Sequence, residues 1–328
     1  MSHSNRIAES ELAPTAFQTF LARVENEPIF VVLGVQGSGT NLLRSILTGA
    51  FNFSVVQDQA IVYNAALSLG PHPSTEQVRR QFAALRARLL PSALGRKTLR
   101  RIKTNGSFEG IDAAFSAERI RSGAELARFI YAYSAFSRGS DLMAIKSDDL
   151  WETIGHIDAV LPNRRIILLT RDFRDNLLSI TKKDFGPVHP LVAARYVKDR
   201  FAYYDAEYRR TPREHRIHVT YEELLDVPDA FVARFGNHFG LTIDGAALPP
   251  VDKTRIRSNN KRKWAGLSAA RLAECEAILR EELLGYGYGP ESAPGRGPGL
   301  ATRWLARAAD IAQRMPQKCR SIIRRLQK

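Results

Sequence analysis

Residues 34–41 read GVQGSGTN, between the apolar run PIFVVL and the amphipathic stretch LLRSILTGAF. Three glycines in six positions allow a tight turn, and a helix beginning near Thr40 would aim its unpaired N–H groups and positive dipole end at one spot. That spot is an anion site lined by Gln36, Gly37, Ser38, Gly39, Thr40 and Asn41. The loop departs from the triphosphate pattern G-x-x-x-x-G-K-[ST], because Thr40 stands where a lysine would reach the β- and γ-phosphates. A second constellation lies in RIILLTRDFRDNLLS, where Arg171 ends an apolar run and Ser179 follows eight residues on. A guanidinium fork at a strand end and a hydroxyl two helical turns later can share one further phosphate. A magnesium-dependent kinase needs a strand-end aspartate there, and Arg171 puts a cation in its place.

The elements that position these groups alternate along the chain. PIFVVLG, FSVV, LMAIK, RRIILLT and RIHVTY read as strands, the first a continuous apolar run of the buried parallel kind. Helical spacing follows the glycine loop and recurs in DDLWETIGHIDAVL, from about Arg174, in LVAARYVKDRFAYYDAEYRR and in AFVARFGNHFG. The expected fold is a three-layer α/β/α arrangement with a central parallel sheet, P-loop-like in its first strand-turn-helix. Residues 1–27 form an N-terminal helical extension, and 28–288 form the domain, with a helical insertion at about 60–140. Residues 289–299, rich in Gly and Pro, form a linker, and 300–328 form a basic amphipathic tail.

Loop and second motif together resemble the sulfotransferases that use 3′-phosphoadenosine 5′-phosphosulfate (PAPS). Ser38-Gly39-Thr40 is similar to that family's [KR]-S-G-T loop for the 5′-phosphosulfate, and Arg171 to Ser179 to its R-x-x-[KR]-D-x-x-x-S motif for the 3′-phosphate. HVTYEELLDVPDAF resembles the Y-E-[DE]-L segment, which implies that Tyr221 lies near the adenine. RSNNKRKWAGLS resembles the late loop that closes over the 3′-phosphate and implicates Arg257 and Lys261. The resemblance spans roughly residues 28–288 and implies sulfuryl transfer from PAPS to a hydroxyl or amine, with adenosine 3′,5′-bisphosphate as the product and no metal.

Such a transfer depends on positioning and on stabilising charge at the leaving oxygens. The family places a Lys or Arg just before S-G-T, where this chain has Gly37. Lys146, ending the strand LMAIK, matches a family lysine that approaches the sulfuryl group and is expected to supply that charge. For the general base, Asp58 in SVVQDQAIVYN is the positional match to a family glutamate, and His189 in DFGPVHPLV is the alternative. Asp58 has a second reading as a helix cap.

Composition bounds the rest. With 44% apolar residues in 328, the chain can bury a large core, and its two cysteines, Cys275 and Cys319, have neither disulfide-scaffold nor zinc spacing. No secretory signal and no apolar run of ~20 residues is evident, so the expectation is a cytoplasmic protein, soluble or peripheral on the inner membrane surface. Of the net charge of +14, half lies in residues 301–328, which hold eight Lys or Arg and one acid, Asp310. In that tail Trp304, Leu305, Ala308, Ile311, Ala312, Met315, Cys319, Ile322 and Leu326 recur at helical spacing, the pattern of a helix that lies on an anionic membrane or docks on a protein. A small-molecule or glycolipid acceptor is the expected partner, and nucleic acid is not expected. The readings that compete with a sulfotransferase are a P-loop kinase and a non-catalytic basic module for membrane or nucleic acid.

Overall fold

A computed structural model describes residues 14–57, 60–90, 102–146, 149–183, 186–243, 261–293 and 297–314. Its centre is a six-stranded sheet. The strands are β1 (Ile29–Leu33), β2 (Ser54–Gln57), β3 (Lys103–Thr104), β4 (Met143–Lys146), β5 (Arg164–Thr170) and β6 (Arg216–Thr220), in the order β3-β2-β4-β1-β5-β6. Five strands are parallel. Strand β3 pairs antiparallel with β2, Val56 opposite Thr104, so the sheet is mixed at one edge rather than wholly parallel as the alternation of elements suggests. A two-residue strand inside a mostly helical, basic stretch carries no period of its own to read.

The pleat divides the core. Ile29, Val31 and Leu33 of β1, with Ile166 and Leu168 of β5, join one cluster, while Phe30, Val32, Ile167 and Leu169 join the other. Alternation along a strand sends successive side chains to opposite faces, so apolar residues at every position cover both faces of the sheet. One face carries α1 (Pro14–Arg23), α3 (Ile61–Leu69), α4 (Thr75–Leu89), the short α5 (Ile111–Ala114), α6 (Gly123–Arg138), α9 (Pro190–Arg210) and α12 (Ala269–Gly285). The other carries α2 (Thr40–Phe51), α10 (Tyr221–Asp226) and α11 (Pro228–Phe239), closed by a cluster of rings from Phe30, Phe51, Phe53, Phe235 and Phe239. Two layers of helices on one sheet give the expected three-layer α/β/α fold. Within the expected insertion, α4 starts at a full capping box, Ser74 with Gln77, and α6 at the cap Ser122.

Two local departures bear on the site. DDLWETIGHIDAVL is not one helix: two 3₁₀ turns, Leu150–Glu152 and Ile154–His156, precede the short α7 (Ile157–Val160). Thr153 between them is held by tertiary bonds, its carbonyl accepting from Tyr63 Oη (2.9 Å) and its hydroxyl meeting Asn64 (3.2 Å), which replaces helical continuation. The Gly/Pro segment after α12 is tied to the domain as far as Ser292. Its Tyr288 hydroxyl donates to Glu222 (2.8 Å), and the N–H groups of Glu291 and Ser292 donate to the buried Glu276 (2.9 and 2.8 Å). Beyond it, α13 (Leu300–Arg314) packs on α9. Among the described residues no helix is long and apolar enough to cross a membrane.

Candidate active site

The glycine loop emerges from the carboxyl end of β1, between β4 and β5, the middle of a parallel sheet where strand ends and helix N-termini converge. Ser38 is buried, and its hydroxyl donates to Val35 O (2.6 Å). Gly39 (φ +101°) is the N-cap of α2 and gives it no side-chain cap, so the first-turn N–H groups at Thr40 and Asn41 meet no competing side-chain oxygen from that position. A Cβ on Gly39 would lie 2.2 Å from Tyr221 Cδ2, so only glycine lets the Tyr221 ring rest on the loop. Tyr221 lies between that loop and Arg171, whose guanidinium is 4.5 Å from the ring centroid.

Arg171, one residue past β5, is buried and donates from Nη1 to Gly37 O (3.0 Å) and to Ser179 Oγ (3.3 Å). Helix α8 (Phe173–Ile180) carries Ser179, and Asp172 caps it by accepting from Arg174 N (3.0 Å). The two sequence motifs, separated by more than 130 positions, therefore meet side by side.

The residues between Arg171 and Ser179 are struts. Asp175 accepts from the N–H groups of Arg262 (2.8 Å) and Lys263 (2.6 Å), and its carboxylate is 3.9 Å from Arg171. Burial raises its pKa, and Arg171 works against that shift. Arg174 stacks on Trp264 (4.0 Å) and pairs with Asp172 and Glu276, while Trp264 Nε1 donates to Asp172 (3.1 Å). With its amide turned to donate to Gln36 O (3.3 Å) and accept from Ser38 N (3.1 Å), Asn176 ties α8 to the loop.

These struts bring Lys263 in: its Nζ donates to Ser179 Oγ at 3.4 Å. Burial and the charge on Arg171 lower the Lys263 pKa. Two cations thus converge on one hydroxyl beside the anion loop, an arrangement that an anionic ligand would relieve. Lys261, named from the sequence for this role, instead pairs with Asp226 at the surface (2.5 Å). Arg257 and Asp58 lie outside the described residues.

Lys146 ends β4, buried, in register with Val32 on one side and Gln57 on the other, two residues before the loop begins. On this β4 flank the loop has neighbours that sequence reasoning missed. Gln36 Nε2 donates to Asp149 Oδ1 (3.3 Å), and the Tyr196 hydroxyl of α9 donates to Gln36 Oε1. Arg200 stacks on Tyr196 (3.4 Å) and Trp151 (4.3 Å). His189 is elsewhere in its bonding. It is the N-cap of α9: its ring Nδ1 accepts from Leu191 N (3.3 Å), its backbone N–H donates to Asp310 (3.2 Å), and burial, with Arg271 nearby, lowers its pKa. Through Nδ1 the ring serves the start of α9.

Residues 28–245 match the sulfotransferase family, so fold and site define a sulfotransferase-type α/β protein, and the chain belongs to that family. Solved structures similar to it include the sulfotransferase domain of an olefin synthase from Synechococcus PCC 7002, at 17% identity over 74% of this chain and 88% of that one, with a TM-score of 0.48. A sulfotransferase from Mycobacterium avium is similar at 14% identity over 86% of this chain and 83% of its own, with a TM-score of 0.47. No curated protein matches the chain.

Proposed function

We propose that this protein uses PAPS as donor and transfers its sulfuryl group to an acceptor hydroxyl or amine. The observation that carries the reading is the convergence of Arg171 and Lys263 on Ser179, immediately beside the glycine loop. PAPS bears two separate anionic groups, and the chain offers two adjacent anion sites of different construction. The loop from Gln36 to Asn41, made of backbone donors at a helix N-terminus, suits the 5′-phosphosulfate. Arg171, Ser179 and Lys263 suit the 3′-phosphate, with Tyr221 as the flat apolar surface between them for the base. The cradle fits such a donor, since a Cβ at Gly39 would displace the Tyr221 ring.

When bound, the donor would supply an activated sulfuryl group whose sulfur an acceptor oxygen or nitrogen attacks in line, breaking the S–O bond to the 5′-phosphate so that adenosine 3′,5′-bisphosphate leaves and the acceptor gives up its proton. The chain's own residues fix the donor's ends, and Lys146 holds positive charge at the strand end beside the loop to steady the leaving oxygens, the task a loop cation performs in similar proteins. Asp149, bonded to Gln36, is a carboxylate held on the loop's β4 flank, and we assign it to the acceptor side as proton acceptor or orienting group. The test is transfer of labelled sulfate from PAPS to a panel of alcohols, lipid- and sugar-linked ones first. The reading requires adenosine 3′,5′-bisphosphate in equal amount to the sulfated product; phosphoryl transfer from ATP without sulfate transfer would replace it with a kinase.

A further inference from the structure

Helix α13 has two faces with different partners. Ala306 and Asp310, one turn apart, face the domain, 4% and 6% exposed. Asp310 Oδ1 accepts from the N–H groups of Val188 (2.6 Å) and His189 (3.2 Å) at the start of α9, which anchors the helix. At 100° per residue Leu300, Trp304, Leu305 and Ile311 fall on the opposite side. They are 74%, 70%, 72% and 51% exposed. Arg303 and Arg307, both exposed, lie between the two faces: Arg303 Nε donates to Pro298 O (2.8 Å), and both side chains reach from the cavity beneath the helix towards the edge of the apolar face. The only acid in residues 301–328 is thus drawn into the domain, and what the helix shows outward is apolar groups flanked by cations.

That composition selects among coverings. A second copy meeting this face in a two-fold contact would set the border arginines of both helices together, an unfavourable pairing of like charges. A nucleic acid would want cations at the centre and has no use for four apolar side chains. An anionic bilayer takes both: apolar side chains enter below the headgroups while guanidinium groups meet lipid phosphates. We infer that α13 is an interfacial anchor, lying in the plane of an anionic membrane with Leu300, Trp304, Leu305 and Ile311 inserted. The same helix walls a cavity of about 550 Å³ against α9 and α12, whose lining combines apolar groups such as Leu191, Ile278 and Ala306 with Tyr196 and the charged Arg303 and Arg307. Because Tyr196 also bonds Gln36, the anchor and the glycine loop are joined through α9. The inference does not depend on the chemistry at the loop.

The test uses the full chain and large unilamellar vesicles of phosphatidylcholine, with and without about 30% phosphatidylglycerol. Co-sedimentation with the anionic vesicles and a blue shift of tryptophan emission are expected, with little binding to the neutral ones. Trp304→Ser together with Leu305→Ser is expected to lower vesicle affinity at least ~10-fold, since both side chains lose their apolar insertion. Both are solvent-exposed, so the thermal melt of the double variant should match the parent. Arg303→Glu with Arg307→Glu should weaken binding at low salt. The inference is overturned if the parent ignores anionic vesicles, if neutral vesicles bind as well, or if the double variant binds undiminished. Light scattering that shows a dimer dissociated by the double variant, without vesicle binding by the parent, would overturn it in favour of a contact between copies.

Discussion

Restoring a loop cation by Gly37→Lys should harm this protein. The [KR]-S-G-T motif that the loop resembles has a cation at that position, but Gly37 adopts φ +91°, and a Cβ there would lie 3.0 Å from Ser179 Cβ. A non-glycine residue in that region costs about 1–3 kcal/mol. The contact adds to this, because Ser179 is pinned by Arg171 and Lys263 and can yield only by lengthening those bonds. A total of about 2–3 kcal/mol corresponds to a fall in melting temperature of roughly 4–6 °C for a domain of this size. Displacing Ser179 also loosens the second anion site, so affinity for adenosine 3′,5′-bisphosphate should fall about tenfold, equivalent to about 1.4 kcal/mol. Gly37→Ala carries the same Cβ and should show the same two losses. Differential scanning fluorimetry and isothermal titration calorimetry on both variants make the assay. An unchanged melt with tighter binding in Gly37→Lys would refute the reasoning and mean that the loop merely lacks a cation it could accept.

Further outcomes follow from single contacts. Lys263→Ala should weaken bisphosphate binding about tenfold or more, while Lys261→Ala, whose partner is Asp226 at the surface, should leave it within about twofold; calorimetry separates the two. Lys146→Ala should lower turnover far more than donor affinity, as read from kcat against KM in the sulfate-transfer assay; equal losses would assign Lys146 to ground-state binding. Burial lowers the His218 pKa to about 4, with its Nε2 against Thr170 Oγ1 at 2.8 Å. A depressed histidine stays neutral when folded but protonates below about 6.5 when unfolded, so stability falls as pH drops from 6.5 towards 4. Between pH 7 and pH 5 this group should cost about 2 kcal/mol, seen in urea melts and largely absent in His218→Gln.

What the sequence made legible was local. The glycine loop and the Arg171–Ser179 stretch are both strand-end signals followed by helix, and each was recoverable because turn chemistry and apolar runs adjoin it. Their meeting in space needed β1 and β5 to be neighbours, which the parallel alternation supports and the register of Ile29 with Arg164 displays. The choice of Lys263 over Lys261 was not legible: Arg262 between them takes a left-handed turn (φ 54°), and the N–H groups on either side of the Arg262–Lys263 bend are caught by Asp175, almost ninety residues earlier. Asp149 and Tyr196 both bond Gln36, a contact that no spacing announces. The tail's helical period was plain, but which face docks depended on Asp310 finding two open N–H groups at the start of α9. The break of an expected helix at Thr153 is of the same kind, since its carbonyl, in a 3₁₀ bond with His156 N, also accepts from Tyr63, ninety residues earlier.

The central claim is that the glycine loop and the Arg171 cluster form one site for a nucleotide with separate 5′ and 3′ anionic groups. Titration calorimetry of the parent chain and Arg171→Ala with adenosine 3′,5′-bisphosphate tests it most directly. Arg171 donates to both Gly37 and Ser179 and stacks on Tyr221, so its removal should cost about 3 kcal/mol, a loss of affinity on the order of 10²-fold. Saturable one-to-one binding by the parent with that loss in the variant is the predicted result. No binding by the parent, or equal binding by both, would contradict the account.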